Sequence, residues 1–297
     1  MKRSESACPG EFLQLRAPAK VNLSLRILER RPDGYHNLDT VMQKLALSDL
    51  LTLTVTDEPG VVLRCPDSAL PEDSSNIVWR AAKSFLAACG CENRGVACIL
   101  EKRIPIAAGL GGGSSDAGAV LTGLNRLLGA GLTTAELIAL ARPLGADVPF
   151  FVTDYGAVRA QGIGDRMVPV QSLENCTVVL VNPGFSVSTR WVYEKYALTM
   201  AGKDSKLYDS QKKLDHVLSY AGGNDLERVT LCAYPEIERL KQSLIALGAA
   251  SVLMSGSGPT VFGIFPDEDS RSSMLVRLAV EALQKNKGVQ VFVTQPV

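Results

Sequence analysis

"GLGGGSSD", residues 109–116, is the stretch on which the reading of this chain turns. Four glycines and two serines fall within eight residues, and "AGAVLTGLNRLLG" follows with the apolar spacing of a helix. A helix N-terminus leaves backbone N–H groups without intrahelical partners and carries the positive end of the dipole, so it suits an anion. Glycines let the main chain come close to such an anion and adopt positive φ. The Ser114 and Ser115 hydroxyls add donors. Two familiar phosphate loops fail here. A Walker-type loop requires Lys-Ser/Thr after its last glycine, where this chain has Ser114-Ser115-Asp116. The dinucleotide fingerprint G-x-G-x-x-G breaks at Ser114. Asp116 would repel a phosphate if it faced one, so it is expected to turn away. Taken alone, the loop reads equally well as a tight turn or a phosphate cradle.

Outward from the loop, the chain mixes strands and helices. Residues 12–28 alternate Val21, Leu23, Leu25 and Ile27 against Asn22, Ser24 and Arg26, a strand pattern interrupted at Pro18. "RRPDGYHN" (residues 30–37) has turn chemistry, and "LDTVMQKLAL", "DLLTLTVT" and "VVLRC" read as strands. "NIVWRAAKSFLAACG" is a helix stopped by Gly90, and "VACILEKR" a strand leading through Ile104-Pro105 into the loop. Thr133 with Glu136 three residues later predicts a capping box for the next helix. "VPFFV" reads as a strand, and so do the two halves of "GAVRAQGIGDRMVPV". After a change of pattern near residue 165 come a strand at "TVVLVNPG", a helix from "STRWVYEKYAL" and a polar segment over residues 201–213. Helices over 224–248, the glycine-serine stretch "ASVLMSGSGPTVFGIF", a helix over about 268–285 and the strand "VQVFV" complete the chain. Non-alternating strands and helices imply an α+β chain in two domains, 1–165 and 166–297.

Composition bounds the partners. The 297 residues carry 31 basic and 31 acidic side chains, so formal net charge is zero. That balance speaks against a nucleic-acid binder, which shows a basic excess or stripe. No apolar run has the length of a membrane span, and "MKRSESACPGEF" lacks the apolar core of a secretory signal, so cytoplasm is expected. Seven cysteines, with only Cys89 and Cys91 close together and only His36 and His216 as imidazoles, make no zinc framework. They read as free thiols of a reducing compartment.

Three segments in order, "PAKVNLSLRILERRPDGYHNLDTV", "PIAAGLGGGSSDAGAVLTGLNRL" and "SGSGPTVFGIF", resemble the GHMP kinases, small-molecule kinases that include galactokinase, homoserine kinase and mevalonate kinase. The middle segment resembles the superfamily at large. "RRPDGYH" is similar to the branch that phosphorylates 4-diphosphocytidyl-2-C-methyl-D-erythritol in non-mevalonate isoprenoid synthesis. The resemblance runs from about residue 15 to the C-terminal strand and includes "LGADVPFF". It implies an α+β fold with a ribosomal protein S5 domain 2-like N-terminal domain for ATP, a ferredoxin-like C-terminal domain for the acceptor, and an active site in the cleft between them. It also implies transfer of the ATP γ-phosphate, with Mg2+, to a hydroxyl of that cytidine diphosphate alcohol, in a monomer or weak homodimer.

Residue by residue, the resemblance makes Asp147 the base and Lys20 the cation beside the acceptor hydroxyl and γ-phosphate. An aspartate is ionised at neutral pH and can take a proton or orient a hydroxyl; without the resemblance Asp147 would read as a cap. A lone lysine is ordinarily solvated, but Lys20 stands between Ala19 and Val21 on an apolar strand. Asn22 falls on the same strand face. ATP would lie against Pro105, Ala107, Ala108, Gly109, Leu110, Gly111, Gly112, Gly113, Ser114 and Ser115, with Lys102 and Asn76 nearby. Ala107-Ala108 replace glycines of some relatives. The cytidyl acceptor would meet Asn22, Tyr35, His36, Thr189, Tyr193, Gly256 and Gly258. Tyr193 reads equally as a core aromatic, and the metal ligands are left unassigned. The alternatives are another GHMP kinase of homoserine or mevalonate type, or a catalytically silent nucleotide-binding relative.

Overall fold

The computed structural model describes residues 10–31, 36–200, 223–267 and 270–297. Tyr35, Cys8, His216 and the polar segment 201–213 lie outside these residues. The chain packs as two compact units that interleave in sequence. The first takes Met1–Ala19, Ser48–Ile104 and Gly111–Tyr155; the second takes Lys20–Leu47, Pro105–Leu110 and Gly156–Val297. One cut at residue 165 therefore does not describe the packing. The physical reason is the length of two strands, β1 (Phe12–Arg30) and β2 (His36–Thr56), each of which contributes residues to both units. Pro18 does not interrupt β1, and the two segments read separately between residues 38 and 56 are one strand.

In the first unit the strand order is β3-β4-β2-β1. β2 pairs antiparallel with β4 (Gly95–Glu101), from Leu50 opposite Glu101 to Thr56 opposite Gly95; β3 (Gly60–Arg64) lies parallel to β4. Helices α1 (Ile77–Ala88), α2 (Gly112–Leu127), α3 (Thr134–Ala141) and α4 (Val148–Phe151) pack over this sheet around Leu51, Leu53, Phe85, Leu100, Leu121 and Leu124. Asn76 caps α1, its side chain accepting from the Val78 N–H, and the Thr133/Glu136 capping box forms at α3. "VPFFV" is not a strand: Val148–Phe151 form a single helical turn. A short apolar run carries no periodicity to separate the two states, and here Pro149 falls in the first turn, where its missing N–H costs nothing. Helix α2 comes so close to α4 that a Cβ on Gly118 would sit 2.6 Å from the Phe151 Cβ.

The second unit holds two sheets. One runs β6 (Arg166–Pro169), β5 (Ala157–Gly162), β2, β1 and β8 (Gly223–Asn224). The other is antiparallel, in the order β11 (Gln290–Thr294), β7 (Cys176–Asn182), β10 (Val261–Pro266), β9 (Ser251–Met254). Counted along the chain, that spatial order is fourth, first, third, second. Helix α5 (Thr189–Met200) follows its first strand and α8 (Ser270–Leu283) its third, the ferredoxin-like arrangement. The stretch expected to be helical over 224–248 begins with β8 and then divides into α6 (Glu227–Ala233) and α7 (Pro235–Ala246), broken at Pro235. β7 is buried along most of its length, and Val179, Val181, Leu240, Leu244 and Phe265 form the core.

Candidate active site

The glycine loop delivers what its composition predicts. Gly111 stands at the N-cap of α2 with φ 70°, a left-handed conformation, and no side chain caps this end of the helix. Gly109 also has positive φ (77°), and so does Ala107 (52°). A left-handed alanine costs on the order of 1–3 kcal/mol. The helix starts at Gly112, two residues before the serines, so Gly112 and Gly113 form its first turn.

Beneath this turn lies a charged cluster. The Lys102 ammonium, at the end of β4, bonds the carboxylates of Asp49 and Asp116, the latter at 2.7 Å. A Cβ on Gly112 would come within 3.3 Å of the Lys102 Nζ, so glycine at this position leaves room for the lysine. Asp49 accepts further from the Arg103 and Ile104 N–H groups, at 2.5 and 2.8 Å. Burial pushes the Asp116 carboxyl up to about 7; Lys102 pulls it down and Asp49 adds to the rise. Burial also works against the charge of Lys102, but the two carboxylates outweigh it and hold its pKa above the ordinary lysine value. Asp116 is thus turned into the protein, as its charge required, and its Oδ1 and the Ser115 Oγ are buried without a hydrogen-bond partner. Asp49 is a member of this cluster that sequence reasoning missed; its signal was one carboxylate in the apolar run "LALSDLLTL".

Asp147 belongs to the same unit. It occupies the position before α4 with φ −87° and makes no side-chain cap hydrogen bond, so capping is not what it does. The Gly145 turn just before it lies close to the glycine loop: a Cβ on Gly145 would be 3.9 Å from the Ser114 Oγ. Asn76 is buried, and its side chain is occupied by the α1 cap and by a 2.7 Å bond to the Pro71 carbonyl.

The second unit gathers the other residues. Lys20 is buried, and its Nζ donates to the Asn22 Oδ1 at 2.6 Å. The Asn22 Nδ2 donates to the Thr40 Oγ1 at 2.8 Å, and that hydroxyl donates to the Ser24 carbonyl at 2.6 Å. A buried ammonium is costly unless its protons are held, and this relay orients it. The Lys20 N–H donates to the Leu110 carbonyl at 2.9 Å. Ser255 opens the second glycine stretch; its hydroxyl donates to the Gly109 carbonyl at 2.8 Å and accepts from the Asn22 N–H at 3.4 Å. Lys20, Asn22, Gly109, Leu110 and the "SGSG" loop therefore meet. Gly256, at φ 56°, brings bare backbone to them: a Cβ there would lie 3.4 Å from the Asn22 Oδ1 and 3.7 Å from the Lys20 Nζ. Gly258 also has positive φ, and a Cβ on it would strike the Met254 Sδ at 2.6 Å. The Thr189 Oγ1 lies 2.8 Å from the Ser257 Oγ, which ties the start of α5 to the same loop. His36 and Tyr193 stack on each other, with ring centroids 5.7 Å apart and planes at 30°.

An uncapped, glycine-lined helix start beside Lys102 with its two buried carboxylates, and a buried lysine facing a second glycine loop, define a phosphate-handling protein. The pattern described as "GHMP kinases N terminal domain" matches residues 76–155, and that described as "GHMP kinases C terminal" matches residues 210–285. The chain is 45% identical to the 4-diphosphocytidyl-2-C-methyl-D-erythritol kinase of Desulfotalea psychrophila, over 96% of this chain and 95% of that one. It is 48% identical to the protein of the same name from Syntrophus aciditrophicus, over 87% and 91%. A solved structure titled 4-(cytidine 5'-diphospho)-2C-methyl-D-erythritol kinase superposes with a TM-score of 0.73 at 37% identity, covering 95% of this chain and 99% of that one. The chain belongs to the GHMP kinases and, within them, to the 4-diphosphocytidyl-2-C-methyl-D-erythritol kinase family.

Proposed function

We propose that this kinase transfers the ATP γ-phosphate to the 2-hydroxyl of 4-diphosphocytidyl-2-C-methyl-D-erythritol, in the non-mevalonate route to isoprenoid precursors. The observation that carries this reading is the uncapped, glycine-lined start of α2, in a chain whose relatives bear that substrate in their names. In this reading residues 1–165 serve ATP and 166–297 serve the acceptor. The N–H groups of Gly111, Gly112, Gly113 and Ser114 take phosphate oxygens, while Pro105, Ala107, Ala108, Gly109 and Leu110 shape the approach. The Ser115 N–H already donates to the Gly111 carbonyl at 2.9 Å, so Ser115 serves through its hydroxyl. Lys102 adds charge beneath the loop, and Asn76 acts by fixing the start of α1.

The Asp147 carboxylate accepts the proton of the acceptor hydroxyl as its oxygen bonds the γ-phosphorus and the bond to the ADP oxygen breaks. The Lys20 ammonium, oriented by Asn22, sits against the charge that develops on the transferring group. Tyr35, His36 and Tyr193 take the cytosine; Thr189, Gly256 and Gly258 line the acceptor's path. A magnesium ion, which takes most of its ligands from phosphate oxygens and water, would be held with the nucleotide beside Ser115 and would supply neutralisation of phosphate charge. A buried, unpartnered Ser115 hydroxyl in the first turn of α2 is compatible with that company. The protein works in the cytoplasm as a monomer or weak homodimer. Among the described residues no helix is long and apolar enough to cross a membrane.

Asp147→Asn tests the chemistry. Turnover, read as ADP release, should fall by about two orders of magnitude, the scale of a lost general base, while nucleotide binding stays near that of the unaltered protein. Near-normal turnover would remove Asp147 from the reaction.

A further inference from the structure

The segment "GNDLE", residues 223–227, has no place in the reading above, yet each of its polar side chains is committed. Asn224 is buried, and its Nδ2 donates both protons to loop carbonyls, Met254 at 2.8 Å and Gly256 at 2.7 Å. Its Oδ1 accepts from the Leu226 N–H at 3.0 Å. The Asp225 Oδ2 accepts from the Ile27 N–H at 2.8 Å. The Glu227 Oε1 accepts from the Met254 N–H at 2.7 Å, and its Oε2 from the Lys241 Nζ at 2.6 Å. Both backbone polar groups of Met254 are therefore held by side chains three positions apart.

The segment is fixed at its other side to the strand that carries Lys20 and Asn22. β8 pairs parallel with β1, Gly223 opposite Ser24 and Asn224 opposite Leu25, and the Asp225 N–H donates to the Leu25 carbonyl at 2.9 Å. One short piece of chain thus ties β1 to the strand-to-loop junction of "SGSG". The tie ends on the Gly256 carbonyl. Gly256 is the residue whose bare backbone lies against Asn22 and Lys20, in a left-handed conformation with no side chain of its own to hold it.

We propose that Asn224 is a positioning residue for phosphoryl transfer, setting the Gly256 peptide against the Lys20–Asn22 pair. It acts through the loop and touches no reacting atom. Two amide protons aimed at two carbonyls fix both the distance and the orientation of the junction, which a single hydrogen bond would not. Glu227 and its Lys241 partner hold the N–H side of the same junction and supply stability. The inference rests on the kinase reading and on Lys20 acting at the transferring phosphate.

The test compares Asn224→Asp with Lys241→Gln. The aspartate keeps the shape but faces two carbonyls with a carboxylate; the lysine change strips Glu227 of its partner and leaves the Asn224 bonds intact. For each, kcat per folded molecule, the KM of each substrate and the thermal midpoint are measured with ATP and the cytidyl acceptor. Asn224→Asp should lose kcat by about 10- to 100-fold, as misplaced catalytic groups do, with the ATP KM within about twofold. Lys241→Gln should lower the midpoint and keep kcat within about threefold. A kcat in Asn224→Asp within threefold of the unaltered protein overturns the proposal, as does an equal kcat loss in Lys241→Gln. Asn224→Ser stands in if the aspartate variant does not fold; failure of both to fold makes the residue structural and also contradicts the proposal. Absence of turnover in the unaltered protein would overturn the kinase reading and this inference with it. Turnover retained in the variant would overturn the inference alone.

Discussion

Lys20 and Asp116 show how differently two buried charges are handled. The Lys20 ammonium is steered by a neutral relay through Asn22 and Thr40. Asp116 shares one ammonium with a second carboxylate, and burial raises its pKa to about 7. Because that value lies above the ordinary aspartate value, the folded protein binds a proton that the unfolded chain releases between about pH 4 and 7. The resulting stability is fully present below about pH 4 and is lost as pH rises through about 7. Asp116→Asn lacks this loss, so the thermal midpoint of the unaltered protein should fall relative to the variant between pH 5 and 8. Parallel midpoint profiles would show that the carboxyl does not titrate there. Tyr193 makes a different prediction. With its ring 5.7 Å from that of His36, no base fits between them without their parting. A cytosine must either spread them or stack on one outer face. Tyr193→Ala should weaken the cytidyl acceptor roughly tenfold, the scale of one aromatic–base stack, and leave ATP within about twofold. Equal weakening of both would make Tyr193 a packing residue.

At the scale of elements, the glycine loop and the capping box were legible because the backbone needs them locally: positive φ at Gly109 and Gly111, and a Thr133 hydroxyl for the Glu136 N–H. "VPFF" was not legible, since four apolar residues with a proline carry neither a period of two nor one of 3.6. Pro18 was over-read, because a proline interrupts a strand only where its missing N–H is needed. Asp49 and Ser255 lay hidden because their roles depend on partners 53 and 146 residues away, Lys102 and Gly109. Gly118 carries its own test. Alanine there would press a Cβ to 2.6 Å from that of Phe151, so Gly118→Ala should destabilise the protein by about 1–3 kcal/mol, measured by urea unfolding. An unchanged midpoint would mean that α2 and α4 part without cost.

At the scale of the whole molecule, the interleaved division into two units was the least legible feature, because it is made by packing. β1 and β2 are long enough to serve both units, and no local signal marks where each passes from one to the other. The order of the three motifs carried the family and the kind of fold; the 4-1-3-2 strand order came only from the coordinates. What the molecule does with these parts is decided most directly by one assay. ADP release is measured with magnesium and ATP against 4-diphosphocytidyl-2-C-methyl-D-erythritol, free methylerythritol, homoserine and mevalonate. The account predicts turnover with the cytidyl compound and none above background with the other three. Turnover with one of those three instead, or ATP bound with no turnover at all, would contradict it.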